Sequence, residues 1–385
     1  MSANEKYLIV GAGFSGAVLA RQLIENTDVE IHIIDERQHI AGNCHTERDT
    51  STNIMVHTYG PHIFNTNRQD VWDYISRFGE FHPFINRVKA EVEGQIYSMP
   101  VNLHTINQFF KTTLNPQQAR HLIEQKANSL IEEPQNFEEQ ALKFLGPELY
   151  YAFFYGYTKK QWGCEPSELP ASILKRLPLR FTYDDNYYNA HYQGIPINGY
   201  TEIVRNILNH ERIKVSTGVA FDHSMSNLYN HVFYSGPIDR YFEYKLGRLS
   251  YRTVTFERSE AEGDHLGNAV INYPDANVAY TRIHEHKHFT PWEKHDKTVY
   301  FKEYSKETME NDTPYYPKRL AADMNIFERY LALARTQSKI SFIGRLGTYK
   351  YMNMDQAIGE ILDFSQEVIS SRQKNQPIPA LSQNI

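Results

Sequence analysis

Glycines at positions 11, 13 and 16 follow directly on the apolar run Tyr7–Val10, and a stretch of helical periodicity opens at once with Ala17–Ala20. Four apolar or aromatic residues without alternation read as a strand buried on both faces of a parallel sheet. The G-x-G-x-x-G spacing then carries a mechanism. Gly11 permits a tight turn, Gly13 lets backbone come close to a pyrophosphate, and Gly16 lets helix and strand pack without a side chain between them. The helix N-terminus would offer unpaired N–H groups and a partial positive charge to the phosphates. A second strand over 29–34 ends in Asp35, where an acidic side chain meets a ribose 2′-OH in such units. Strand, glycines, helix, strand and acid in this order predict a dinucleotide-binding βαβ unit.

Beyond the acid come Arg37 and then Ile40–Asn43, with Gly42 as a second close-approach glycine. A loop of that kind suits a flavin dinucleotide held from both sides, whereas a nicotinamide enzyme has no need of it, so FAD is favoured over NAD. Length and composition narrow the rest. A chain of 385 residues is too long for one small core. A net charge of −6 with dispersed Lys and Arg gives no basic surface for nucleic acid. Cys44 and Cys164 are the only cysteines, which excludes a disulfide framework or zinc ribbon and fits a reducing compartment. No secretory signal precedes the first strand and no apolar run is long enough to span a bilayer. A cytoplasmic protein without membrane insertion is expected.

Further along, Val56–Phe64 contains Gly60, Pro61 and His62, a loop expected to turn back beneath the cofactor, and residues 69–78 read as helix. Residues 87–101 alternate about Glu93 and Gly94, a β-hairpin that opens an antiparallel sheet. From Thr105 to Tyr157 the period becomes helical. The last of these helices carries Tyr150, Phe153, Phe154, Tyr157 and Gln161, a stripe that core packing explains as well as base stacking does. Lys159 and Lys160 interrupt it beside Trp162, a mixture expected where a base stacks and phosphates sit nearby. The proline-flanked basic segment 166–178 is either an anion-binding lid or a solvated linker. Residues 201–208 read as helix, and 212–216 and 231–235 as strands rejoining the first unit. Strands are expected over Tyr251–Phe256, Ala269–Tyr273 and Thr298–Phe301. Between the last two, His284, His286 and His288 fall on one face of an extended strand. They have ligand chemistry, but an exposed polar face accounts for them equally, and no metal site is assigned. Asp184 and Asp185 lack a third ligand at suitable spacing. A final strand near Ile340, a glycine turn and a helix from about Asp355 would complete the nucleotide sheet, the helix dipole favouring negative charge on a reduced flavin.

Over essentially its whole length the chain resembles the bacterial UDP-galactopyranose mutases. The segments that carry this are Gly11–Gly16, Tyr59–Phe64, Val101–Phe109, Gly156–Gly163, Pro166–Pro178, Tyr183–Tyr187, Pro314–Pro317 and Gly344–Tyr349. The resemblance implies an α/β fold of three parts. These are a discontinuous FAD-binding Rossmann-like domain (1–82, 200–240 and 315–385), an inserted helical domain (103–172, with the mobile loop 166–178), and an antiparallel β-sheet domain (83–102, 173–199 and 241–314). It implies an isomerase interconverting UDP-galactopyranose and UDP-galactofuranose, or a close UDP-hexose variant. Reduced FAD would act through a covalent flavin N5–sugar adduct, with no net redox change. The cofactor is then the nucleophile, which suits a chain without an evident catalytic dyad. An FAD-dependent amine oxidase or desaturase is the alternative, distinguished by net oxidation of its substrate.

By matching positions, Arg176 and Arg282 would clamp the diphosphate, as bidentate cations suited to a departing phosphate, with Tyr316 and Tyr351 bonded to it. Tyr157 and Trp162 would frame the uridine beside Phe153, Thr158, Tyr187 and Asn272. Asn86, Asn353 and His62 would lie near the sugar, and His62, Arg345, Tyr351 and Met354 near the flavin. Phe14, Ser15, Asp35, Gly42 and Asn43 join Gly11, Gly13 and Gly16 around FAD. A homodimer is implied too. Two positions depart from the family's common pattern: Asn65 stands where His is usual and Asn353 where Asp is usual. Both border the sugar pocket, so they bear on which hexose is taken rather than on the flavin or UDP sites.

Overall fold

The computed structural model describes residues 5–171, 173 and 179–382. The chain opens with β1 (Lys6–Val10), α1 (Phe14–Asn26) and β2 (Glu30–Asp35). Short strands β3 (Thr46–Arg48), β4 (Met55–His57) and β5 (Phe64–Thr66) lead to α2 (Gln69–Ser76) and β6 (Phe81–Pro83). The hairpin β7 (Lys89–Val92) and β8 (Gln95–Ser98) precedes α3 (Leu103–Phe110), α4 (Pro116–Lys126), α5 (Phe137–Tyr150) and α6 (Gly156–Trp162). Next come β9 (Tyr192–Pro196), α7 (Gly199–Leu208), β10 (Ile213–Thr217), β11 (His231–Tyr234) and α8 (Ile238–Tyr241). The last third holds β12 (Tyr251–Glu262), β13 (Val270–Asn272), β14 (Arg282–Glu285), β15 (Lys297–Glu307) and β16 (Tyr316–Pro317), followed by α9 (Ala321–Arg335), β17 (Ile340–Phe342), α10 (Gly344–Gly347) and α11 (Met354–Gln373).

Five strands form a parallel sheet in the order β10-β2-β1-β11-β17. Both faces are buried, as the unbroken apolar run in β1 requires. Ile9 belongs to the core shared with α1, α7 and α11, while Leu8 joins Val232, Tyr330 and Phe342 in the core under α9. The sequence reading assigns nothing to α9. Its inward side chains, Phe327, Tyr330, Leu331 and Ala334, are diluted by exposed polar positions.

A second sheet of seven strands runs β16-β12-β15-β14-β13-β7-β8. Its pairs are antiparallel except where β13 lies parallel to β7. The expected hairpin is present, with Glu93 (φ 52°) and Gly94 (φ 76°) both left-handed, the turn that matches strand twist. Helices α3 to α6 pack around Ile106, Ile123, Leu145 and Leu149. A π-helical turn, Tyr151–Tyr155, joins α5 to α6 and re-aims the aromatic stripe. The histidine run corrects the sequence reading: β14 ends at Glu285 and a tight turn over His286–Phe289 follows. His284 and His286 are 0% exposed. Aromatic rings pack on them, Phe256 beside His284 and both Phe289 and Phe301 beside His286, so this polar face is covered, not solvated.

Candidate active site

The glycine loop is shaped by close approach. Gly11 has φ +106° and a Cβ there would lie 2.0 Å from Ser235 Oγ, while one on Gly16 would lie 2.0 Å from the Gly11 carbonyl oxygen. Gly13 differs: a Cβ there would first meet Gly42 Cα, 3.8 Å away, so the space above it is open and backbone faces backbone. Ala41 (φ 74°) and Gly42 (φ 54°) bring the second loop alongside, and the Ala41 amide donates to the Ala12 carbonyl at 2.9 Å. The N-cap of α1 is Gly13 with no capping side chain, so the helix terminus keeps its donors for a ligand. Asp35 is 8% exposed. Its carboxylate accepts the Ala12 N–H at 2.8 Å and the Arg37 N–H at 2.9 Å, which steadies both loops and leaves lone pairs for a hydroxyl. Arg37 Nη2 donates to Asn43 Oδ1 at 2.7 Å, whereas its buried Nη1 has no partner among the described residues. An orphaned guanidinium nitrogen at a glycine cradle calls for an anionic acceptor, and a dinucleotide pyrophosphate fits it.

These groups line one cleft of about 390 Å³, within the range of small-molecule sites. Gly11, Gly13, Phe14, Ser15, Gly16, Asp35, Gly42, Asn43, His62, Arg345, Tyr351 and Met354, all named from sequence as cofactor residues, lie on its wall. So do Arg282, Tyr316, Asn353 and Asn65. Trp162 lines an adjoining cavity that shares Tyr351. The Trp162 ring centroid is 6.0 Å from that of Tyr351, and Tyr351 stacks on Tyr316 at 5.5 Å. Arg345 lies over both tyrosines, 5.4 and 5.7 Å from their centroids, held by the carbonyls of Tyr315 and Met352.

Arg282 adds a further cation to this wall. Its Nε and Nη2 both lie 2.9 Å from Glu303 Oε2, which leaves the rest of its fork for an acceptor in the cleft. Glu303 is 0% exposed. Burial alone would raise its pKa, but the charge of Arg282 and a bond to His284 outweigh that and hold it at about 2. Burial pushes Tyr316 up to about 12 and raises Tyr157 and Tyr187, so all three stay protonated donors. His62 donates from Nδ1 to the Gly60 carbonyl at 2.7 Å. Burial, with help from the positive charges of Arg345 and Arg282, lowers its pKa to about 4; it is a neutral hydrogen-bonding group. Cys44, on the same wall, is a protonated thiol, raised to about 12 by burial.

Other sequence-named residues fall outside the lining of either cavity. Asn86 is 3% exposed and its carbonyl accepts the Tyr187 N–H, placing it behind Tyr188, which does line the cleft. Phe153 is buried against Tyr97 at 5.2 Å, and Thr158 is 4% exposed. Asn272 sits opposite Arg282 in the β13–β14 ladder. Arg176, with most of the segment 172–178, lies outside the described residues. The basic pair beside Trp162 is not turned to phosphate: Lys159 pairs with Glu165 at 2.5 Å and Lys160 is enclosed by carbonyls. Glu303, Tyr188 and Ser235 carry no signal that sequence reasoning used, and Arg37 is noted there without a role. Among the described residues one group, Asp264, Glu285 and His288, has metal-ligand atoms within 4.8 Å of one another. There Lys287 already pairs with Asp264, and Glu285 accepts backbone N–H groups from His265, Leu266 and Gly267.

The parallel sheet, the uncapped helix and the facing glycine loops define a dinucleotide-binding protein of the Rossmann-like class. A family model for UDP-galactopyranose mutase matches residues 152–351, and one for NAD(P)-binding Rossmann-like domains matches 9–78. A Klebsiella pneumoniae protein named probable UDP-galactopyranose mutase is 53% identical over 98% of each chain. The dTDP-fucopyranose mutase of Escherichia coli is 50% identical over 96% of this chain and 100% of that one. A crystal structure of reduced UDP-galactopyranose mutase has the same fold, with a TM-score of 0.72 at 16% identity, covering 97% of this chain and 96% of that one. The chain belongs to the UDP-galactopyranose mutase family, and is an isomerase.

Proposed function

We propose that this enzyme interconverts the pyranose and furanose forms of UDP-galactose or a close nucleoside-diphosphate hexose, with FAD in its reduced state. One observation carries the reading: Arg282, Arg345, Tyr316 and Tyr351 line the same cleft as the glycine cradle. When bound and reduced, FAD would supply the nucleophile for the anomeric carbon. The residues present do the rest. Arg282, oriented by Glu303, stabilises negative charge as the diphosphate departs and holds it for return. The hydroxyls of Tyr316 and Tyr351 donate to the same group, and Arg176 is its second cation by sequence. Trp162 and Tyr157 hold the base, with Phe153, Thr158, Tyr187 and Asn272 supporting that wall. This keeps the anomeric carbon oriented while the nucleotide is free. His62 and Asn353 face the sugar side, backed by Asn86 behind Tyr188, and there the uncharged Asn65 and Asn353 select the hexose. The named activities of the two relatives differ in both sugar and base, so the substrate panel should vary both.

Reduced and oxidised enzyme should be incubated with UDP-galactose, UDP-N-acetylgalactosamine and dTDP-fucose, each in both ring forms, and the products separated by HPLC. Equilibration between ring forms by dithionite-reduced enzyme alone is the expected result. Equal turnover by oxidised enzyme, or net oxidation of the sugar, would refute it.

A further inference from the structure

Lys160 reaches out of α6 into the loop between β13 and β14. Its Nζ lies 2.6 Å from the carbonyl oxygen of Tyr273, 2.7 Å from that of Asp275, 2.8 Å from that of Val278 and 3.0 Å from that of Tyr280. An ammonium has three hydrogens and four acceptors face it, so the site fits a compact positive charge rather than a set of paired bonds. Rings of carbonyl oxygens at such distances are how proteins replace the hydration shell of a monovalent cation. The loop thus held begins at Asn272 and ends at Arg282, while α6 carries Tyr157 and Trp162. The contact beneath is equally close: a Cβ on Gly156 would lie 2.2 Å from the Pro274 carbonyl oxygen. At the other end of α6, buried Arg252 donates to the carbonyls of Lys160 and Gln161, each at 2.9 Å, and complements the helix dipole. With Lys160 neutral or absent, four carbonyl dipoles would converge on nothing and the loop would part from the helix.

We infer that Lys160 is a positioning residue of the nucleotide site, its ammonium acting as a built-in monovalent cation that fixes the Asn272–Arg282 loop against the helix bearing Tyr157 and Trp162. This rests on the proposed function in so far as those four residues meet the nucleotide. The test uses FAD-loaded enzyme and UDP itself, with binding measured by calorimetry and turnover measured separately. K160M should weaken UDP binding about tenfold or more, as loss of a charge-assisted network implies, with FAD content unchanged and KM affected more than kcat. In K160A, added ethylammonium or potassium should restore UDP binding, and tetramethylammonium, too bulky for the carbonyl ring, should not. If K160M does not fold, K160Q keeps a donor without the charge and should show the same weakening. UDP binding within twofold of wild type in either variant would overturn the inference, as would weakened binding that no small cation improves. Wild-type enzyme that binds no UDP would refute the proposed function instead, a result these variants cannot imitate.

Discussion

Glu303 sets the orientation of the cationic wall, and its neighbours show why it escaped notice. It lies between Lys302 and Tyr304 on a long strand, just beyond the expected stretch Thr298–Phe301 and beside no residue that marks it as buried. Only the ladder, which sets it beside Arg282, reveals a buried ion pair. Removing one member of such a pair leaves an uncompensated charge, whereas replacing both is far milder. Arg282→Ala should therefore lower kcat/KM by about a hundredfold or more through lost phosphate stabilisation. It should also cost about 3–5 kcal/mol of stability from the stranded carboxylate. The double variant Arg282→Met, Glu303→Gln should recover most of that stability in urea titrations while staying inactive. Recovery of turnover in the double variant would show that Arg282 does not hold the diphosphate. Asp35 carries a related lesson: its place at a strand end was legible, but the two amides it clamps were not.

The glycine loop and α1 were legible as an element because every contact that defines them is local. The structure separates the roles of two glycines that the motif treats alike. Gly13 has ordinary φ (−80°) and open space beside it. Gly13→Ala should therefore fold with the unfolding midpoint of flavin-free wild type and purify colourless, its methyl group standing where the pyrophosphate must come. Gly16→Ala drives a methyl group into the Gly11 carbonyl and should lose about 3 kcal/mol or more, the upper range for overpacking. A yellow Gly13→Ala protein with wild-type FAD affinity would place the cofactor elsewhere. Elements set by distant partners were read less well. His284 and His286 read as an exposed polar face because nothing near them in sequence announces the distant rings of Phe256 and Phe301 that pack on them. Lys159 and Lys160 looked like phosphate ligands because their partners, Glu165 and the loop carbonyls, are not visible to periodicity. The helical period of 105–157 did show α3 to α6, but not the π-turn within it.

At the scale of the molecule, burial of imidazoles makes stability depend on pH. Burial, reinforced by nearby histidines, holds His57 at about 3, and burial holds His231 at about 3. Both are under 4% exposed. An unfolded histidine titrates near 6.5, so between that pH and the folded values the unfolded chain binds protons that the native one refuses. Stability is complete above about pH 6.5 and falls as pH drops, by about 1.4 kcal/mol per pH unit for each group. Thermal midpoints should decline from pH 7 to pH 5, and a His57→Asn, His231→Asn double variant should flatten that decline. An unchanged slope would mean that neither imidazole is kept neutral by the fold. Among the described residues no helix is long and apolar enough to cross a membrane.

The strand order of the parallel sheet also has a temporal side. β1 and β2 lie near the start of the chain, but their sheet acquires β10 and β11 only after residue 210, and β17 only at Ile340. A ribosome must therefore carry synthesis past Met354 before the cradle has its far wall, Arg345 and the start of α11. Until then the early strands have unsatisfied edges, and such long-range pairing is slow to form. Flavin capture is thus a late event in biogenesis, and nascent chains released before it would be natural clients of the quality-control machinery.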